Sequence, residues 1–181
     1  MPTKLEKGID WGTRLSDLKV TYTFTPGGET LKTVAGKVDS VGLNAYEKGQ
    51  FKLAFKLYSS VTKLKFKAVT SPDAADLVVT GYRGKETLLG TMAPPGFMGL
   101  GGSGAFNVSG IGWDRGAPGT GALEQGGYGF ITIIHELGHG LGLAHPHDRG
   151  GSSIKFPKVK HADDLGKAGL NQGVYTTMSY N

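Results

Sequence analysis

The run His135-Glu136-Leu137-Gly138-His139-Gly140-Leu141-Gly142-Leu143-Ala144-His145 decides how the rest of the chain is read. It has the form H-E-x-x-H-x-x-G-x-x-H, and each fixed position has a physical job. His135 and His139 are four residues apart, so on a helix they share one face about a turn apart. Two imidazoles held there can bind one Zn²⁺ through nitrogen at about 2.0–2.1 Å. Glu136 is one step round the helix and points beside the metal, where a general base for a zinc-activated water belongs. His145 lies too far along to join them if the helix continued. Gly142 can take positive φ, which predicts that the helix stops and the chain doubles back, bringing His145 in as third ligand. Three protein ligands with a fourth position open mark catalytic rather than structural zinc. Phe130, Ile131, Ile134, Leu137, Gly138 and Leu141 recur at helical spacing and predict an apolar face for a helix over about 127–143.

Working outward, residues 18–24 alternate strongly and run into Pro26-Gly27-Gly28, a strand ending at a turn. Residues 44–60 carry Phe51, Ala54, Phe55, Leu57 and Tyr58, which suits a long helix packed on a sheet. Strands are predicted at 64–69 and at 76–82, the latter introduced by a Pro72-Asp73 turn, and again at 88–94 and 105–113. Strand, helix, strand and strand predict an α+β fold: a mixed, twisted sheet backed by helices, closed by the histidine-bearing helix.

The chain has 181 residues and 38% hydrophobic content, enough for one domain with a real core. Its 31 glycines follow no period, which predicts a loop-rich domain. A net charge of +5 raises nucleic acid as a partner. The lysines are dispersed, however: Lys48, Lys52 and Lys56 share one helical face, while Lys63, Lys65 and Lys67 alternate. Without aromatic interleaving these read as solvated faces, so no nucleic-acid partner is expected. No stretch is long and apolar enough to span a membrane, and residues 1–7 lack a signal-peptide core.

Near the end stands Tyr175-Thr176-Thr177-Met178-Ser179-Tyr180, which resembles the Met-turn of metzincin peptidases. Within that clan, the Met-Ser-Tyr form, the His145-Pro146 pair and the approach Gly127-Tyr128-Gly129-Phe130 resemble the serralysins, secreted bacterial zinc endopeptidases. The absence of cysteine fits that branch, and the tyrosine in the turn disfavours a matrixin-like one.

The resemblance implies a zincin-like catalytic domain whose partners are protein or peptide substrates, with a proteinaceous inhibitor as a further partner class. It implies that Met178 floors the three imidazoles, and that Tyr180 reaches the zinc at rest and then swings away to stabilise the oxyanion. It also implies that Thr91, Met92 and Ala93 form an edge strand pairing with extended substrate. The expected chemistry is peptide hydrolysis, with Glu136 as base and then acid. The upper subdomain is expected over 1–142 and the lower over 143–181. Serralysins continue past the Met-turn, so a C-terminally incomplete domain is expected, a monomer or one associated with the rest. The alternative is a zinc-binding but inactive module.

Calcium, implied by the same family, finds only Asp148, Asp163 and Asp164, without EF-hand or nine-residue spacing. His147 and Asp148 follow His145 closely enough for one of them to orient it; for His147 a surface turn is the preferred reading. His161 is expected to be exposed.

Overall fold

The computed structural model describes residues 3–85, 87–113 and 118–181. In chain order its elements are helix α1 (Lys4–Gly8), strands β1 (Lys19–Phe24), β2 (Thr30–Thr33) and β3 (Gly36–Val41), helix α2 (Ala45–Val61), strands β4 (Lys65–Ala68), β5 (Leu77–Tyr82), β6 (Gly90–Met92) and β7 (Ser103–Asn107), and helix α3 (Tyr128–Gly140). Together they make the α+β arrangement expected, a mixed seven-stranded sheet with α2 and α3 packed on it.

β5 is the hub of that sheet. Its first half pairs parallel with β1 and its last two residues pair antiparallel with β3. Its other edge pairs parallel with β7 along its length. β4 extends the sheet beyond β1, and β6 lies antiparallel on β7 as an edge strand. The β2–β3 hairpin is absent from the sequence reading. Its residues are mostly exposed or half-buried, so the apolar alternation that reveals a strand is weak there.

α2 begins where Asn44 accepts a bond from the Glu47 N–H at 2.9 Å while Glu47 accepts from the Asn44 N–H at 2.7 Å. That reciprocal pair satisfies two helix-end donors. Glu47 is fully buried, and its other carboxylate oxygen accepts the Trp113 indole N–H at 2.8 Å. Phe51, Ala54 and Phe55 face inward at helical spacing, and Lys52 and Lys56 face out.

The core lies between the sheet and the two long helices. Val20, Tyr22, Leu77, Val79 and Phe106 meet Phe51, Phe55, Phe130, Ile133 and Leu137. Phe51 stands edge-on to Phe106 at 4.8 Å, and Phe55 stacks on Phe66 at the same separation. These are favoured aromatic geometries, so the burial of area and the ring contacts act together.

Two details differ from expectation. Ile133, not Ile131, completes the apolar face of α3, and Ile131 is half exposed. The expected strand over 105–113 is β7, which starts earlier and ends at Asn107. There the buried Asn107 side chain holds the loops on either side through Lys85, Leu88 and Ser109. Residues 143–181 contain no α-helix and no extended strand, only turns and a short 3₁₀ segment over Lys167–Gly169.

Candidate metal centre

α3 ends three residues earlier than the sequence suggested, at Gly140, through a well-defined cap. Gly142 takes φ +98°. Its N–H donates to the His139 carbonyl and the Leu143 N–H donates to the Gly138 carbonyl, both at 2.9 Å. That double closure is the Schellman motif, which needs a residue tolerant of positive φ. The chain leaving it is gripped from the other side: Trp11 N–H donates to Gly142 O at 3.0 Å and Ala144 N–H to Ile9 O at 2.9 Å. His145 is thereby carried back over the last turn of the helix.

The Nε2 atom of His145 lies 3.1 Å from that of His135 and 2.9 Å from that of His139. Two nitrogens bound at about 2.0–2.1 Å to one tetrahedral ion would sit about 3.3 Å apart. The three outer nitrogens are all engaged. His135 Nδ1 meets Thr177 O at 2.6 Å, His139 Nδ1 meets Leu143 O at 2.9 Å, and His145 Nδ1 meets an Asp148 carboxylate oxygen at 2.7 Å. Those oxygens only accept, so each Nδ1 carries a proton, and a neutral ring held this way turns a bare Nε2 lone pair inward. Three lone pairs facing one another repel unless a cation lies among them. This donor set fits a divalent metal that favours nitrogen.

The electrostatics agree. Burial pushes His135 down to about 4, with the nearby His145 and His147 adding to the shift and the Thr177 bond opposing it. Burial pushes His139 down to about 3, reinforced by its two imidazole neighbours. Both rings are therefore neutral and ready to ligate at ordinary pH. Burial pushes the Glu136 carboxyl up to about 8, against a backbone hydrogen bond from Met92. For Asp148, burial works to raise the carboxyl; the His145 bond and charge, helped by the Gly150 N–H, outweigh it and hold it below the usual carboxylate range.

Asp148 fixes the tautomer and tilt of His145. Replacing it, as in Asp148→Ala, is expected to weaken zinc binding by about 10–100-fold in a chelator-competition titration. An unchanged dissociation constant would mean that His145 is oriented by its turn alone.

Beneath the helix lies Met178, fully buried. A Cβ on Gly138 would come within 2.7 Å of its sulfur and 3.0 Å of the Tyr58 hydroxyl, so only glycine lets the turn approach so closely. Gly138→Ala should destabilise the chain by about 1–3 kcal/mol through overpacking, read as a lower urea midpoint.

Tyr180 brings its hydroxyl to 3.0 Å from His145 Nε2, with its ring 5.4 Å from that of His135. The Tyr180 side chain is largely exposed, but desolvation at its hydroxyl, with Glu136 and Asp148 adding repulsion, pushes the phenol up to about 12. On the opposite side β6 passes close to the helix. A Cβ at Gly90 would lie 2.9 Å from Glu136 Cγ. Met92 and Ala93 point into the protein and Thr91 is half-buried, so what β6 offers outward is chiefly its backbone.

The structure thus brings together His135, Glu136, His139, His145, Met178 and Tyr180, with Thr91, Met92 and Ala93 alongside. It departs from the sequence reading at His147. That ring is half-buried, stacked on His145 at 4.8 Å and packed against Tyr180 at 4.8 Å. The reason is the turn after Pro146, folded back by the Asp148–Gly150 bond, which periodicity cannot reveal. Of the acidic residues weighed for calcium, Asp148 bonds His145, Asp164 accepts the Lys160 and His161 N–H groups, and Asp163 is exposed. His161 is exposed.

Among known proteins, the profile of the matrixin peptidase family (peptidase M10) matches residues 33–171. Serralysin of Proteus mirabilis is 28% identical over 172 residues, 90% of this chain and 33% of that protein. Macrophage metalloelastase of Oryctolagus cuniculus is 30% identical over 119 residues, 61% of this chain and 23% of that protein. The chain therefore spans a third or less of the length of these curated relatives. Identity does not separate a serralysin-like branch from a matrixin-like one, so the tyrosine of the Met-turn is no ground for setting the matrixins apart. The family match takes in α2, α3 and the third histidine, well over half of the sequence, and on that extent the chain belongs to the matrixin peptidase family, as a metzincin metallopeptidase catalytic domain.

Proposed function

We propose that the chain is a zinc-dependent endopeptidase of serralysin-like kind that cleaves proteins in extended conformation, and that it is a secreted bacterial protein. The observation that carries the reading is the convergence of three bare Nε2 atoms within about 3 Å beside a buried carboxylate. The serralysin match over 90% of the chain supports the subtype. For location the support is that relative's family; among the described residues no helix is long and apolar enough to cross a membrane. We treat 1–142 and 143–181 as upper and lower parts of one catalytic domain.

His135, His139 and His145 would hold the zinc, which when bound supplies a Lewis acid that acidifies water and polarises the scissile carbonyl. Glu136 takes a proton from the attacking water and delivers it to the leaving amine, one carboxylate serving as base and then acid. Burial beside the imidazoles makes its carboxylate more basic than a solvated one, which helps it accept that proton. Tyr180 stays protonated, so its O–H can donate to the oxyanion as charge develops there. Among the described residues β6 pairs with β7 alone, and its outer edge can take an extended peptide by strand addition. Affinity then comes from main-chain bonds, which suits broad protein substrates.

Casein treated with the zinc-loaded chain tests this. Cleavage should stop on chelation and return with one equivalent of zinc. Cleavage that persists without metal would refute the reading. Stoichiometric zinc without cleavage would favour the second reading, a zinc-binding module or a catalytic piece that works only with further chain.

A further inference from the structure

Tyr58 sits in the last turn of α2 and takes no part in the chemistry above. Its ring packs against the main core, yet its hydroxyl is aimed at α3, where it donates to the Ile134 carbonyl at 2.8 Å. A helical carbonyl has two lone pairs, one used within the helix, so the second is free to accept. The Thr177 side chain lies near the same hydroxyl and works to lower its pKa, but burial outweighs it and holds the phenol well above its ordinary value, so it keeps its proton.

Ile134 and Thr177 both adjoin one residue. Ile134 immediately precedes His135 in α3, and the Thr177 carbonyl is the oxygen that receives His135 Nδ1–H at 2.6 Å. Thr177 is itself exposed, on a turn whose neighbouring bonds are local ones at Thr176. Gly138 leaves the space through which the hydroxyl reaches the helix. The Tyr58 hydroxyl therefore bonds the backbone that carries His135 and stands near the segment that orients its ring.

We infer that Tyr58 is a positioning residue for His135. It braces α3 against the Met178-bearing turn, so that the ring nitrogen keeps its aim at the metal. The inference rests on reading His135 as a metal ligand. A bound metal tolerates little rotation of an imidazole lone pair, and groups that orient ligands typically govern affinity by about 10–100-fold. The effect would appear at the metal and not only in folding.

Tyr58→Phe removes the hydroxyl and keeps the ring. Thr177→Val removes the neighbouring hydroxyl and keeps the carbonyl that faces His135. For each variant and the wild type, the zinc dissociation constant would be measured by chelator competition, together with the visible absorption of the Co²⁺-loaded chain. The expected result is a zinc constant raised about 10-fold or more in Tyr58→Phe. A shifted Co²⁺ band should accompany it, and Thr177→Val should move both in the same direction. Wild type that fails to bind zinc would overturn the metal-site reading, and this inference with it. Wild type that binds while Tyr58→Phe binds equally, with the same Co²⁺ spectrum, would overturn the inference alone, whatever happens to the melting temperature. Should Tyr58→Phe not fold, Thr177→Val decides by the same two readouts.

Discussion

Glu136→Ala is expected to lower kcat on a protein substrate by about 10²–10⁴-fold while one zinc per chain is retained. The two halves of that expectation have separate causes. Glu136 is buried beside the imidazoles, but the three converging nitrogens belong to His135, His139 and His145, so its removal leaves the donor set whole. What disappears is the only carboxylate on α3. Asp148 does not replace it, since that side chain is committed to His145. A variant with near-normal kcat would place the base elsewhere. A variant that loses zinc along with activity would mean that Glu136 serves the metal and not the proton.

His139→Ala should act on the other half of the chemistry and abolish stoichiometric zinc binding. His139 is buried, neutral, and 2.9 Å from the nitrogen of His145, so its loss leaves two ligands and an opened apolar wall. Ligand binding to the folded state alone stabilises it by about 2.7 kcal/mol at a hundred times the dissociation constant. For a chain of this size that corresponds to a rise of about 5–11 °C in Tm. The wild type should show such a rise on adding zinc and His139→Ala should show none. An equal zinc-dependent rise in both would mean that the ion binds somewhere else.

Much of this site is legible in the residues themselves. His135 and His139 declare one helical face, and Gly142 declares where the helix must stop, because positive φ is a property of the backbone that sequence can carry. The long helix α2 is equally plain, since Phe51, Ala54 and Phe55 mark its inward stripe and Asn44 with Glu47 its start. For α3 the spacing predicts a stripe including Ile131, and the buried one runs through Ile133. Ile131 belongs to the face that carries His135 four residues on, so the apolar pattern there mixes core and cleft.

Other features have no one-dimensional signal. The β2–β3 hairpin hides because short strands with one buried residue in four or two in six show no period. His147 stacks on His145 only because the turn at 146–150 folds it there. Tyr58 reads from its spacing as a core residue, and its ring is one. The hydroxyl that reaches Ile134 belongs to a contact 76 residues away in sequence. Tertiary approach of that kind leaves no trace in local pattern.

The most direct test of the central claim is to digest unfolded casein with zinc-loaded wild type and Glu136→Ala in parallel and to identify the fragments by mass spectrometry. Hydrolysis by this centre predicts internal fragments from the wild type and none from the variant at equal zinc content. Internal fragments in equal yield from both would contradict it.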